Sequence, residues 1–237
     1  MKTFLRFTIV ALMAASISSC CIYRGQNEEN RICKIYSSIS AGATAAKVSQ
    51  SSDFGDDNSE SKLGPKFGVN ALMPINPNLR LETGLGFAGK GSKSSYSSQD
   101  GEESFSQEDK LNLSYLEVPV LLRYQFNNTG FNVYGGLQPA FLLSAKQKIE
   151  YTGSPSQDID VKDRFKGFDT SAIFGVGYEF NNGLMLNAGY DLGLMNIAAT
   201  SYSGYSTKNQ VFIVYLAYNF RKNKIPKHKQ KKSKRYL

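Results

Sequence analysis

The sequence has no tryptophan, and only one histidine, three cysteines and seven prolines among 237 residues. Each scarcity removes something. The single histidine, His228, lies in a lysine-rich run near the C-terminus, so the rest of the chain can assemble no Ser-His-Asp or His-Asp arrangement. The cysteines Cys20, Cys21 and Cys33 cluster near the N-terminus, and their spacing matches no zinc site. The acidic stretches, Asp53 to Glu60 and Asp100 to Asp109, lack the spacing of a calcium loop and read as solvated loop acids. Neither a metal nor a cofactor is expected. Beyond the N-terminus there is no run of eighteen apolar residues, which excludes a transmembrane helix there.

The formal net charge of +8 is not a nucleic-acid signal. Residues 221–237 hold nine Lys or Arg and no acid, and Lys2 and Arg6 precede an apolar stretch at the other end. The body keeps 17 basic residues against 20 acids. It is slightly acidic, and the basicity belongs to a terminal tail.

Residues 1–19 read as a secretory signal peptide: two basic residues, the apolar stretch 7–15, then small residues 16–19. Residues 20–34 form a polar N-terminal periplasmic segment. Two readings of its cysteines stand. Cys33 can pair with Cys20 or Cys21 in an oxidising compartment, or Cys20 can carry lipid after the loose lipobox-like string Ile17-Ser18-Ser19-Cys20.

What the chain has in abundance is period-two alternation. In residues 184–194, Leu184, Leu186, Ala188, Tyr190, Leu192 and Leu194 share one face, against Met185, Asn187, Gly189, Asp191 and Gly193. Side chains alternate across a strand, so this stretch has an apolar and a polar-or-small side. The same pattern marks residues 35–48, 66–73, 79–88, 111–126, 131–146, 170–180 and 209–220, eight strands in all. In residues 111–126 the apolar phase slips between Tyr115 and Leu116, which predicts a bulge there, one that would accommodate Pro119.

The connections alternate too. Loops 49–62, 89–110, 147–168 and 198–208 are long and polar, whereas those after the second, fourth and sixth strands are tight turns. Short turns at one end and long loops at the other, with an even strand count, fit an outer-membrane barrel. The expected fold is therefore all-β: an eight-stranded antiparallel up-and-down transmembrane β-barrel over residues 35–220, in the bacterial outer membrane. A soluble lipocalin-like barrel is the structural alternative.

If the apolar faces meet lipid, the opposite faces put Lys66, Arg80, Glu82, Glu117, Arg123, Glu179 and Asp191 in the lumen. Eight strands leave room only for side chains, and buried charges need partners. The expectation is a self-satisfied charge network that plugs the barrel. A narrow channel or ligand-binding lumen, and a catalytic pair such as Glu82 with Glu117, are the competing readings. Three strands end in Tyr-x-Phe at the short-turn side: Tyr124 and Phe126, Tyr178 and Phe180, Tyr218 and Phe220. That repetition predicts an aromatic girdle at the membrane interface.

Four stretches carry a family resemblance. They are Tyr115-Leu116-Glu117-Val118-Pro119-Val120-Leu121-Leu122-Arg123-Tyr124, Tyr134-Gly135-Gly136-Leu137-Gln138-Pro139-Ala140-Phe141-Leu142-Leu143, Gly175-Val176-Gly177-Tyr178-Glu179-Phe180 and Leu216-Ala217-Tyr218-Asn219-Phe220. The chain resembles the PorT-like outer-membrane β-barrel proteins of Bacteroidetes-type bacteria over about residues 35–220. The resemblance implies an eight-stranded outer-membrane barrel with a proline at 119, but no settled biochemical activity. The cysteine-rich start and the basic tail past Phe220 depart from it.

The functional expectation is a structural or surface-interaction barrel acting through long extracellular loops, not an enzyme. Its expected partners are outer-membrane lipid and an extracellular partner of unknown kind. The periplasmic tail, 221–237, either binds cell-wall polymer or anionic lipid by charge or is simply solvated.

Overall fold

The structure, a computed structural model, describes residues 35–51, 59–100, 103–126, 129–151, 156–200 and 206–220. The signal segment, Cys20, Cys21 and Cys33, and the tail 221–237 lie outside the described residues, as do loop acids such as Asp53, Asp56, Asp57 and Glu102.

The strands, in chain order, are β1 (Tyr36–Ser51), β2 (Glu60–Pro74), β3 (Leu79–Asp100), β4 (Glu103–Glu117), β5 (Val120–Gln125), β6 (Phe131–Tyr151), β7 (Gln157–Asp160), β8 (Phe168–Glu179), β9 (Leu184–Gly193) and β10 (Ser206–Asn219). Every pairing is antiparallel. β4 and β5 follow one another along both β3 and β6, so together they make a single stave. β1 pairs with β10 as well as β2, from Ser38↔Asn219 to Ser51↔Ser206, and this closes a ring of eight staves. Closure leaves the ring no unpaired edge, the condition for a sheet to exist in hydrocarbon.

Outward positions are apolar through the middle of the ring. Phe67, Leu85 and Val176 are 53%, 55% and 57% exposed. A water-soluble barrel would turn such residues inward; here they make a continuous band that only lipid can cover. Past Phe87 on β3 and Leu116 on β4 the outward positions become polar, with Lys93, Asn112 and Lys110.

The tight turns follow from their residues. Asn76 Oδ1 accepts the amides of Asn78 (2.9 Å) and Leu79 (2.7 Å), an Asx turn with Pro77 inside it. In the turn 181–183, Asn182 Oδ1 accepts Leu184 N–H at 3.1 Å, and Gly183 has φ of 89°, a conformation that favours glycine.

Three local expectations are corrected. The stretch 89–110 is not a loop: β3 and β4 stay paired out to Asp100↔Glu103. β3 has 22 residues, about twice the 9–11 a tilted strand needs to cross a bilayer, so the hairpin projects as a ribbon. Its sequence looks like a loop because a ribbon clear of the membrane needs no apolar face. Likewise, β6 runs on to Tyr151 and β7 folds back on it, inside the stretch 147–168 read as loop. The bulge lies across the ladder from where the phase slip puts it. Ser114 pairs with Ser144 but Tyr115 with Leu142, so the extra residue, Leu143, belongs to β6. On β4, Leu113, Tyr115 and Glu117 all remain buried. The apparent slip records a change in the interior, from apolar above to ionic below. Pro119 sits in the break between β4 and β5, where Val118 N–H donates to Pro139 O at 2.8 Å.

Candidate functional site

The inward faces of the staves meet along the barrel axis, and the seven charges read from the sequence arrange themselves in layers. Nearest the short-turn end, Arg80 Nη1 donates to Glu179 Oε2 at 2.8 Å, and Arg80 also donates to Gln125 Oε1. Asn219 Nδ2 donates to the other oxygen of Glu179 at 3.2 Å. Strand register brings these residues together although 99 positions separate Arg80 from Glu179.

The next layer centres on Arg123, which is fully buried. Its Nε and Nη2 both reach Glu82 Oε2, at 2.9 and 2.8 Å. Nη1 donates to Asn187 Oδ1 at 2.9 Å and to Asn132 Oδ1. The Tyr134 ring lies 4.5 Å below the guanidinium carbon, a cation–π contact. Gly175 and Gly189 make room for this ring: a Cβ on either would come within 2.5 Å of the Tyr134 hydroxyl. These two inward glycines, one on β8 and one on β9, are thus the space that a large side chain from β6 fills.

The third layer contains Lys90, which lies in the stretch 89–110 whose composition predicts a loop. Lys90 Nζ lies 2.9 Å from Glu117 Oε1 and 2.9 Å from Asp191 Oδ2, with its side chain 1% exposed. Lys66, half-buried, pairs with the second oxygen of Glu117, and Gln138 Nε2 donates to Asp191 Oδ2 at 2.8 Å. The signal for Lys90 was available: the inward series Arg80, Glu82, Gly84, Gly86, Ala88 continues to Lys90 with period two. Above it, Asn209 Nδ2 bridges Asp169 Oδ2 (2.9 Å) and the Tyr115 hydroxyl (3.3 Å).

Beyond these layers, toward the long-connection end, the interior becomes apolar. Val48, Leu113, Tyr115, Leu142 and Ala145 pack with Val161 and Ile197. Val161 and Ile197 come from the segments after β7 and β9. These segments are laced together by Lys166 N–H to Ile197 O (2.7 Å) and Ala199 N–H to Arg164 O (2.9 Å), and Val161 N–H donates to Ala145 O (3.0 Å). They roof the barrel. Among the described residues the opposite end is open: a polar cup of about 920 Å³ is floored by Arg80 and Glu179.

The Tyr-x-Phe residues all face outward at the short-turn end. The ring pairs Tyr124–Phe126, Tyr178–Phe180 and Tyr218–Phe220 are edge-on, with centroids 5.4, 4.9 and 5.2 Å apart. Phe131, not among the residues singled out, joins Tyr178 at 5.0 Å and links two of the pairs. On the projecting ribbon a separate ion ladder runs Lys93–Glu108–Lys110–Glu150–Lys148, with separations of 2.5, 3.3, 3.0 and 2.7 Å. Hydrogen bonds from Lys93 and Lys110 hold Glu108 below the usual glutamate range, and bonds from Lys148 and Lys110 do the same for Glu150.

A closed eight-stave ring, apolar outside and ion-paired inside, defines a transmembrane β-barrel. The family model described as outer membrane protein beta-barrel domain matches residues 26–199. The chain belongs to that family and is a protein of the bacterial outer membrane. Among solved structures it is similar to Neisserial surface protein A, at 16% identity over 78% of this chain and 97% of that one, with a TM-score of 0.44. It is also similar to Ail of Yersinia pestis, in a complex with the heparin analogue sucrose octasulfate (15% identity, 79% and 99% coverage, TM-score 0.39). A third similar structure is the outer membrane protein OprG of Pseudomonas aeruginosa (14%, 78% and 96%, 0.37). No curated protein matches.

Proposed function

We propose that this is a non-enzymatic, PorT-like barrel of the Bacteroidetes type. Its long-connection end faces the cell exterior and makes the contacts, while the barrel itself is a plugged support. The observation that carries this reading is the mutual pairing of eight interior charges. Arg80 with Glu179, Arg123 with Glu82, and Lys66 and Lys90 with Glu117 and Asp191 engage one another beneath the Val161–Ile197 roof. Charges spent on each other support neither a conducting path nor a catalytic carboxylate pair. The ribbon of β3 and β4, projecting past the apolar band, is then the contact surface, in keeping with the habit of binding residues to lie on elements carried by a rigid scaffold. The tightness of the turns favours a periplasmic position for them, since outer-membrane barrels have short periplasmic turns and longer extracellular loops. In the same reading residues 1–19 are removed on export, 20–34 are a periplasmic segment whose cysteines carry lipid or a disulfide, and the basic tail 221–237 meets cell-wall polymer or anionic headgroups.

Surface labelling tests the orientation. Ser95 is exposed on the ribbon and Asn182 in the short turn. On intact cells a membrane-impermeant maleimide should label Ser95→Cys above the native background and should leave Asn182→Cys at background. The opposite pattern would reverse the proposed topology.

A further inference from the structure

The barrel is closed at one end and open at the other, and the open end has the character of a binding cup. It is lined by Pro77 and Asn78, by Thr129 and Gly130, by residues 181–183 and by the last residues of β10, and its volume of about 920 Å³ lies in the range of ligand pockets. Its walls carry five carboxamides: Asn78, Gln125, Asn181, Asn182 and Asn219. Among the described residues the charged groups lining it, Arg80 and Glu179, neutralise each other at 2.8 Å in the floor.

A carboxamide presents both a donor and an acceptor. A wall of them around a neutral floor matches a ligand that is uncharged and rich in hydroxyl and amide groups. Among the described residues the lining presents no uncompensated charge for a phosphate, a carboxylate or a metal ion. Part of this capacity is already used: Gln125 Oε1 accepts from Arg80, Asn219 Nδ2 donates to Glu179, and Asn182 Oδ1 closes its own turn. These contacts fix the cup's shape. The carboxamide of Asn181, exposed on the rim, and the Asn182 Nδ2 group point to the unfilled capacity. Phe126, Tyr178 and Tyr218 also border the cup, although their rings belong to the outward girdle.

The geometry points to an acetamido-sugar chain, the glycan of the cell wall, as the occupant of this cup. Hydroxyls and acetamido groups would meet the carboxamides. The assignment of the glycan rests on the proposed orientation, which turns the cup toward the periplasm. The chemistry of the cup does not.

The test uses the full chain refolded in detergent micelles, with chitotetraose as probe and maltotetraose, which lacks acetamido groups, as control. In proton–nitrogen NMR spectra, chitotetraose should move the side-chain amide signals of Asn181, Asn182 and Gln125. The buried Asn132 and Asn187 should stay unmoved. Asn181→Ala, at an exposed turn position, should keep the barrel folded and weaken binding about two- to tenfold, the effect of one lost hydrogen bond. The proposal is overturned if nothing moves at about 10 mM sugar, where a millimolar site is nearly filled. An equal response to maltotetraose overturns it too, as does an unchanged affinity in Asn181→Ala. Failure of the orientation would appear separately, as external labelling of Asn182→Cys on cells with the micelle titration intact.

Discussion

Replacing Lys90 with methionine probes the interior where its bookkeeping is least forgiving. Lys90 Nζ holds two carboxylates at once, Glu117 and Asp191, each at 2.9 Å, inside a side-chain environment almost closed to solvent. Methionine has nearly the same length and no charge. Glu117 would retain Lys66, but Asp191 would keep only the Gln138 amide at 2.8 Å. Removing one member of a buried ion pair costs about 3–5 kcal/mol, mainly because the partner's charge is left uncompensated. A slope of about 2 kcal/mol per molar urea turns that into a midpoint shift of about 2 M. Because the chain has no tryptophan, unfolding from lipid vesicles is best followed by tyrosine fluorescence, with the unboiled gel band as a second readout. Adding Asp191→Asn to Lys90→Met removes the stranded charge and should return at least half of the lost stability. The reasoning fails if Lys90→Met costs less than about 1 kcal/mol, or if the second substitution recovers nothing.

Three further outcomes are expected. Arg123→Lys should lose at least half the stability that Arg123→Met loses in the same urea titration, because an ammonium cannot reproduce the two-point grip on Glu82 and the contact with Asn187. Gly189→Ala should destabilise the barrel, and Tyr134→Phe in the same chain should partly restore it, since the nearest obstacle to the new Cβ is the Tyr134 hydroxyl at 2.5 Å; a double variant no better than the single would contradict this. The ribbon's ion ladder should weaken in acid. Glu108 and Glu150 have folded-state pKa values held below the ordinary 4.5, so their contribution is present above that value and is lost as pH falls through the lower folded values. Amide exchange at 107–110 and 148–150 should therefore accelerate below about pH 4.5 relative to the barrel, after correction for intrinsic rates; protection that stays constant would dismiss the ladder as a source of order.

The fold was legible because lipid imposes a rule that sequence displays directly. Outward Phe174, Val176 and Tyr178 must be apolar, and Ser171, Glu179 and Asp191 need not be, so period-two alternation exposed the staves. Long and short connections then separated lipid from a protein core. The extension of β3 and β4 was hidden for the converse reason. Once a hairpin leaves the membrane, Ser94 and Ser95 serve as well as any other residue, and only cross-strand pairing distinguishes ribbon from loop. Lys90 was overlooked with them, although its phase matched the inward series. The pairing of particular charges was not legible at all. That Arg80 meets Glu179, and that Lys90 bridges Glu117 and Asp191, depends on register across the barrel. Nor was the apolar roof, because Val161 and Ile197 lie in irregular connections, where no period-two pattern marks them as inward.

Conductance across a planar lipid bilayer tests the central claim, a membrane-spanning barrel whose interior is filled by its own ion pairs and roofed by Val161 and Ile197. Protein refolded from the purified chain and shown to be folded by its heat-dependent gel migration should insert and leave the membrane without steady single-channel steps. Reproducible steps of fixed size from the folded form would contradict the filled interior.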